Sequence, residues 1–212
     1  MSQDQRNRRA IGVLGGSFSP IHHAHLWVAH YLLEELMLSE VVFVPAGQHA
    51  FKGRLLEAHH RLEMIRLAIQ GKDRFRLSTI EVDRPGPSYT YETLQRLQEE
   101  VPDATFYFII GGDNLAEVPM WHRGEELLRK FTFVVVGRNQ ADRTTLESIM
   151  AQDPLLRKYR ANVMIVQMPF AFDLSSSFIR ERLAAGKSIA YLVPEPVEAY
   201  IREHRLYTGE TC

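Results

Sequence analysis

Apolar positions along the 212-residue chain fall into short unbroken runs that alternate with longer stretches of helical periodicity. The runs at 10–14, 41–45, 74–82, 105–110, 131–136 and 162–168 are strand candidates, and several are apolar at successive positions. A strand covered on both faces reads that way, because each side of the pleat meets a packed layer. Between these runs, helix candidates span 24–38, 58–70, 89–100, 124–130 and 144–151, and two more, 176–185 and 194–204, follow the last run. This alternation predicts an α/β fold: a single Rossmann-like, doubly wound parallel sheet. Ligands of such sheets sit beyond the carboxyl ends of the strands, near the point where strand order reverses. The loops after Leu14, Pro45, Ile110 and Met168 are therefore where chemistry is expected.

Composition narrows the class without naming a function. With 45% apolar and 24% charged residues, the chain has the balance of an ordinary globular protein and suits one large domain. The expected layout is a disordered leader over 1–9 and a single domain over 10–212, with Pro85-Gly86-Pro87 a rigid turn inside it. A net charge of -1 gives no support for nucleic-acid or membrane partners, so any phosphate site must gather its positive charge locally. Cys212 is the only cysteine, which rules out an internal disulfide and fits a reducing, cytoplasmic setting. No signal-peptide core or 18-residue apolar stretch occurs.

Candidate chemistry sits in two segments. After the first strand comes Gly15-Gly16-Ser17-Phe18-Ser19-Pro20-Ile21-His22-His23-Ala24-His25. Paired glycines let the backbone turn sharply and present N–H groups to an anion. A helix beginning at about Ile21 would set His22 and His25 on one face of its first turn, where the helix N-terminus also favours negative charge. A structural role is the plain alternative for any one histidine, and for His23 and His30 the preferred one. A metal site is disfavoured, since His22 and His23 diverge on a helix and neither cysteine nor an HExxH spacing supports them. No metal-ligating residue is assigned. The second segment, Asp173-Leu174-Ser175-Ser176-Ser177-Phe178-Ile179-Arg180, puts three hydroxyls before a helix. One serine suffices as an N-cap, and Arg180, a turn further on, could reach back over the helix start. Gly186-Lys187-Ser188 follows a helix and lacks the leading glycine of a P-loop, which would fall at Glu181; no GxSxG elbow is present either.

Together the two segments resemble the paired signatures GG[ST]FDPxHxGH and [IV]SSTxIR of the nucleotidyltransferase superfamily. Within it, the chain is similar to bacterial nicotinate-mononucleotide adenylyltransferases from about Ile11 to Tyr207. Further matches are Val44-Pro45 with Lys52, His60-Arg61 through Glu63-Met64, Gly86 to Thr90, Ile110 to Asp113, Pro119-Met120-Trp121 and Tyr191 to Pro194. It departs from the pattern at Ser19, usually Asp, and at Ala24, usually Gly. It also departs at His49-Ala50-Phe51, usually Pro-Pro-His, and at His122, often Tyr.

The resemblance implies transfer of the adenylyl group of ATP to nicotinate mononucleotide, with Mg²⁺ carried mainly by the ATP phosphates. It implies His22 and His25 on the α- and β-phosphates, and Arg180 with Ser175 and Ser176 on the departing phosphates. Gly15, Gly16, Ser17, Phe18, Lys52, Gly111 and Asp113 complete the expected ATP side, Asp113 serving a ribose hydroxyl, a helix N-cap, or both. Thr90, Trp121 and His122 are expected around the pyridine ring. Lys52 could equally be a solvated loop charge, and the loop 46–56 either a lid or a plain surface loop. Nicotinamide mononucleotide as acceptor, and a nucleotide sensor without turnover, are the rival readings.

Overall fold

A computed structural model describes residues 9–47, 55–137, 142–170 and 173–208. Six strands make one sheet: β1 (Arg9–Gly16), β2 (Glu40–Pro45), β3 (Phe75–Leu77), β4 (Ala104–Gly111), β5 (Thr132–Gly137) and β6 (Val163–Gln167). Their order is β3-β2-β1-β4-β5-β6, and every pairing is parallel. The chain starts in the middle, winds out to β3, then crosses back to lay β4 beside β1. The reversal therefore falls between β1 and β4, in register from Arg9 opposite Ala104 to Leu14 opposite Ile109. Gly15-Gly16 and Gly111-Gly112 end these two strands and border the crevice where such sheets take ligands.

The helices are α1 (His23–Glu35), α2 (Ala58–Ile69), α3 (Thr90–Glu100), α4 (Gly124–Lys130), α5 (Arg143–Gln152), α6 (Pro154–Lys158), α7 (Ser176–Ala184) and α8 (Glu195–Glu203). They cover both faces of the sheet, which is why its strands read as unbroken apolar runs. Along β5 the pleat sends Val134 and Val136 into one core, with Phe43, Leu32, Ile65, Ile179 and Ile201. Phe133 and Val135 enter the other, with Val13, Phe106, Tyr91, Leu94 and Leu127.

Several sequence expectations change. The strand expected over 74–82 is only Phe75–Leu77, because Thr79 then closes a turn with Asp83 through its hydroxyl and its carbonyl. Arg9, assigned to a leader, belongs to β1 and donates to Glu40 at 2.9 Å. A 3₁₀ segment at Gly112–Met120, helix α6 and a 3₁₀ turn at Arg160–Asn162 were not expected. Their runs are too short for a periodicity signal. For α6, however, Asp153-Pro154 is a readable start: the Asp153 side chain accepts from the N–H groups of Leu155 and Leu156, and Pro occupies the first turn.

Candidate functional site

The crevice is built first by the loop from β1 to α1. Phe18 adopts a φ of 46°, and its ring is buried against Phe43 and, edge-on at 5.0 Å, His25. With its ring committed to the core, Phe18 can offer a ligand only its backbone. The helix begins at His23, one residue before the expected span 24–38 and two after the Ile21 start that would have put His22 in its first turn, so His22 is its extended N-cap. The pairing of the histidines survives, because an N-cap and the third helical residue face each other. The His22 backbone N–H lies 3.3 Å from His25 Nδ1, and the two rings stack at 3.6 Å with 19° between their planes. An Nδ1 that accepts leaves the proton of the neutral ring on Nε2.

Helix α7 closes the other side. Ser175 is its N-cap and accepts from the Phe178 N–H at 3.2 Å, so the capping role falls to one serine. Ser176 donates to the Pro20 carbonyl at 2.8 Å, and Arg180 donates to the Ser19 carbonyl at 2.8 Å and to Ser177 Oγ at 3.0 Å. Segments more than 150 positions apart in sequence are thereby held as one surface. Ser19 is buried, and its hydroxyl lies 3.0 Å from that of Tyr207, a bond for which serine is the right length.

A second wall descends from β4. A Cβ on Gly111 would lie 2.3 Å from Asp113 Oδ1, so the carboxylate folds back over a position only glycine leaves open. Gly111, not Asp113, is the N-cap of the 3₁₀ segment; the capping alternative for Asp113 is not realised, and its side chain is exposed. Trp121 ends that segment, half-buried, edge-on to Phe108 at 6.3 Å. His122 Nε2 lies 3.1 Å from Glu92 Oε1, and its ring is 4.4 Å from that of Tyr89. These contacts bring the start of α3, with Thr90, against Trp121-His122. Gly47, just past β2, passes so close to the Glu81 carbonyl that a Cβ would sit 2.3 Å from it.

Gly15, Gly16, Ser17, Phe18, His22, His25, Ser175, Ser176 and Arg180 are thus brought together at the loop–α7 junction, with Gly111 at the end of the neighbouring strand and Asp113 in the 3₁₀ segment that follows it. The start of α3, which carries Thr90, meets His122, next to Trp121 in sequence, through Tyr89 and Glu92 and makes a second cluster. Lys52 and most of the 46–56 loop lie outside the described residues. Among the described residues, no group of three or more His, Cys, Asp or Glu could hold a metal ion, and no helix is long and apolar enough to cross a membrane.

Sequence reasoning gave no role to Arg61, which is 3% exposed and donates to the carbonyls of Leu56, at 2.9 Å, and Ser17, at 3.1 Å. A signal existed. Arg61 shares the buried stripe of α2 with Met64, Ile65 and Ala68, where an arginine needs a reason.

Comparison with known proteins gives concordant matches. A family profile described as cytidylyltransferase-like matches residues 13–182. A protein of Synechococcus sp. (strain JA-3-3Ab), named "Probable nicotinate-nucleotide adenylyltransferase", is 42% identical over 98% of this chain and 99% of its own length. A Lachnoclostridium phytofermentans protein of the same name is 40% identical over 94% of this chain and 99% of its own. Among solved structures, the Plasmodium falciparum nicotinic acid mononucleotide adenylyltransferase complexed with NaAD superposes with a TM-score of 0.79 at 26% identity, covering 94% of this chain and 97% of that one.

Proposed function

We infer the workings of this site from the premise that the chain belongs to the nicotinate-nucleotide adenylyltransferases, within the cytidylyltransferase-like family. The protein transfers the adenylyl group of ATP to nicotinate mononucleotide, giving nicotinate adenine dinucleotide for NAD biosynthesis. A phosphate oxygen of the acceptor attacks the α-phosphorus of ATP. The bond from that phosphorus to the β-bridging oxygen breaks, and pyrophosphate leaves with the electron pair. The nucleophile is already an anion, so the protein's task is alignment and charge stabilisation.

His22 and His25 receive the α- and β-phosphates at the start of α1, where the helix dipole favours negative charge. Arg180, with Ser175 and Ser176, takes the departing phosphates, and the backbone of Gly15, Gly16, Ser17 and Phe18 lines the approach. Asp113 accepts from a ribose hydroxyl beyond β4, beside Gly111. Trp121 offers the pyridine a flat face, with Thr90 and His122 at its polar edge. Lys52 is assigned a phosphate contact. The side chains assigned to the phosphates are imidazole, hydroxyl, guanidinium and ammonium donors, which suits a Mg²⁺ held by the polyphosphate rather than by a protein cage. The ion supplies neutralisation of phosphate charge. The catalytic unit is one nucleotidyltransferase domain running from β1 to α8, and its setting is cytoplasmic.

The observation that carries this reading is the stacked His22–His25 pair at a helix start, tied to the Ser176–Arg180 segment through the carbonyls of Ser19 and Pro20. The test is pyrophosphate release by purified protein with ATP and Mg²⁺, comparing nicotinate mononucleotide, nicotinamide mononucleotide and no acceptor. Release with the nicotinate form at a kcat/KM about tenfold above the amide, or roughly 1.4 kcal/mol, is expected. Silence with both acceptors while ATP still binds would leave a nucleotide sensor instead.

A further inference from the structure

Arg61 is a buried cation to which the reaction described above gives no task. Its Nε and Nη1 reach two neutral partners, the carbonyls of Leu56 and Ser17. Among the described residues no carboxylate lies within ion-pairing distance of it. Burial pulls its pKa below the usual arginine value, and the opposing influence is the phenol of Tyr207, not an acid. Arginine nonetheless remains protonated at such sites. A guanidinium removed from water and hydrogen-bonded only to carbonyls is costly, because carbonyl dipoles replace hydration without cancelling charge. Two carbonyl partners explain its geometry but leave its charge unexplained; a methionine would pack that stripe of α2 with far less desolvation.

The missing counter-charge has an evident place. Ser17 belongs to the loop that joins the end of β1 to the stacked histidines, so Arg61 lies directly behind the surface assigned to phosphate. We propose that Arg61 is a positioning residue whose charge is completed by a substrate phosphate: it fixes the Ser17 backbone and holds an uncompensated positive charge behind the loop. The proposal rests on the reading of that loop as phosphate-binding. The phosphate comes from the ATP triphosphate or from the acceptor's monophosphate, and the two are separated by binding each alone. A plain strut from α2 to the loop would need the same two hydrogen bonds but no ligand.

The experiment titrates ATP with Mg²⁺, and separately nicotinate mononucleotide, into wild type, Arg61→Gln and Arg61→Lys, reading Kd by calorimetry alongside thermal unfolding. Arg61→Gln keeps a hydrogen-bonding amide without charge, and one of the two ligands should bind about tenfold or more weakly. Arg61→Lys keeps the charge but on a group that titrates readily when buried. Its affinity should approach wild type near pH 7, then fall by about tenfold relative to wild type towards pH 10 as the amine loses its proton. Affinities within about twofold of wild type for both ligands in Arg61→Gln, whatever its melting temperature, would make Arg61 a strut and overturn the proposal. If the glutamine variant does not fold, a lysine variant whose affinity follows the wild-type pH profile overturns it equally. Wild-type turnover is measured in the same preparation. An enzyme silent towards both acceptors sinks the functional reading alone, whereas an active one with unaffected variants sinks this inference alone.

Discussion

His25 reaches the crevice with Nδ1 already facing the His22 backbone N–H, so its Nε2 carries the donor proton of the neutral ring before any ligand arrives. On the proposed assignment of His25 to the α-phosphate, a donor held in place by the fold would need no reorganisation as charge develops there. Replacing His25 or His22 by Ala is expected to lower kcat by roughly 10²–10³, by analogy with losing an oxyanion-hole donor. Steady-state kinetics beside a melting curve checks this; a variant with near-normal kcat would remove that histidine from the chemistry. Both histidines were legible in the sequence because imidazoles three residues apart after a glycine turn are poorly explained by packing. Arg61 is only a family match in the sequence, without a role, because its meaning depends on Ser17, 44 positions away, which only the fold brings near.

Helices α2 and α8 meet through a cluster of aromatic and titratable side chains. His60 Nδ1 lies 2.8 Å from Tyr200 Oη, and the His60 ring is 5.3 Å from His204 and 4.0 Å from His59. Burial first, then the neighbouring charges of His59 and His204, lower the His60 pKa below its ordinary value of 6.5, against a smaller opposing pull from Glu57. The unfolded chain therefore binds a proton more readily than the folded one, so this contact stabilises above about pH 6.5 and is weakened as pH falls below it. The melting temperature should drop between pH 7.5 and pH 5, and His60→Gln should flatten part of that slope; parallel slopes would clear His60 of the effect. Long periodic elements such as α1 and α3 were readable from the chain, whereas β3 and the 3₁₀ segments were not. In a three-residue edge strand or a single tight turn, local hydrogen bonds such as Thr79 to Asp83 outweigh propensity.

Across the whole molecule, one sheet separates two apolar layers, and β5 serves both. Phe133 is fully buried in the layer away from α1, where its ring meets Phe108 edge-on at 5.7 Å and Phe108 alone stands between it and Trp121, so truncating it creates a cavity one side chain removed from the crevice. Phe133→Ala should cost about 3–5 kcal/mol, or roughly 6–20 °C in melting temperature for a chain of this length. Activity per folded molecule should stay near wild type at permissive temperature. A large fall in kcat with little change in melting would show that this core layer transmits to the site.

The sequence by itself determined the α/β class, the single parallel sheet, the two signature segments and the family. The first three rest on local pattern, namely apolar runs at strand length, helical periodicity and side chains clustered within about ten positions, and the family rests on the resemblance those segments and further matches carry. Tertiary structure alone decided what crosses the chain. It set the strand order that opens the crevice between β1 and β4, and the ties from Ser176 and Arg180 to the Pro20 and Ser19 carbonyls. It also placed Tyr89 and Glu92 against His122, and a charged Arg61 behind Ser17. Those contacts join residues from about thirty to more than 150 positions apart, and no periodicity encodes which distant carbonyl a buried donor will find.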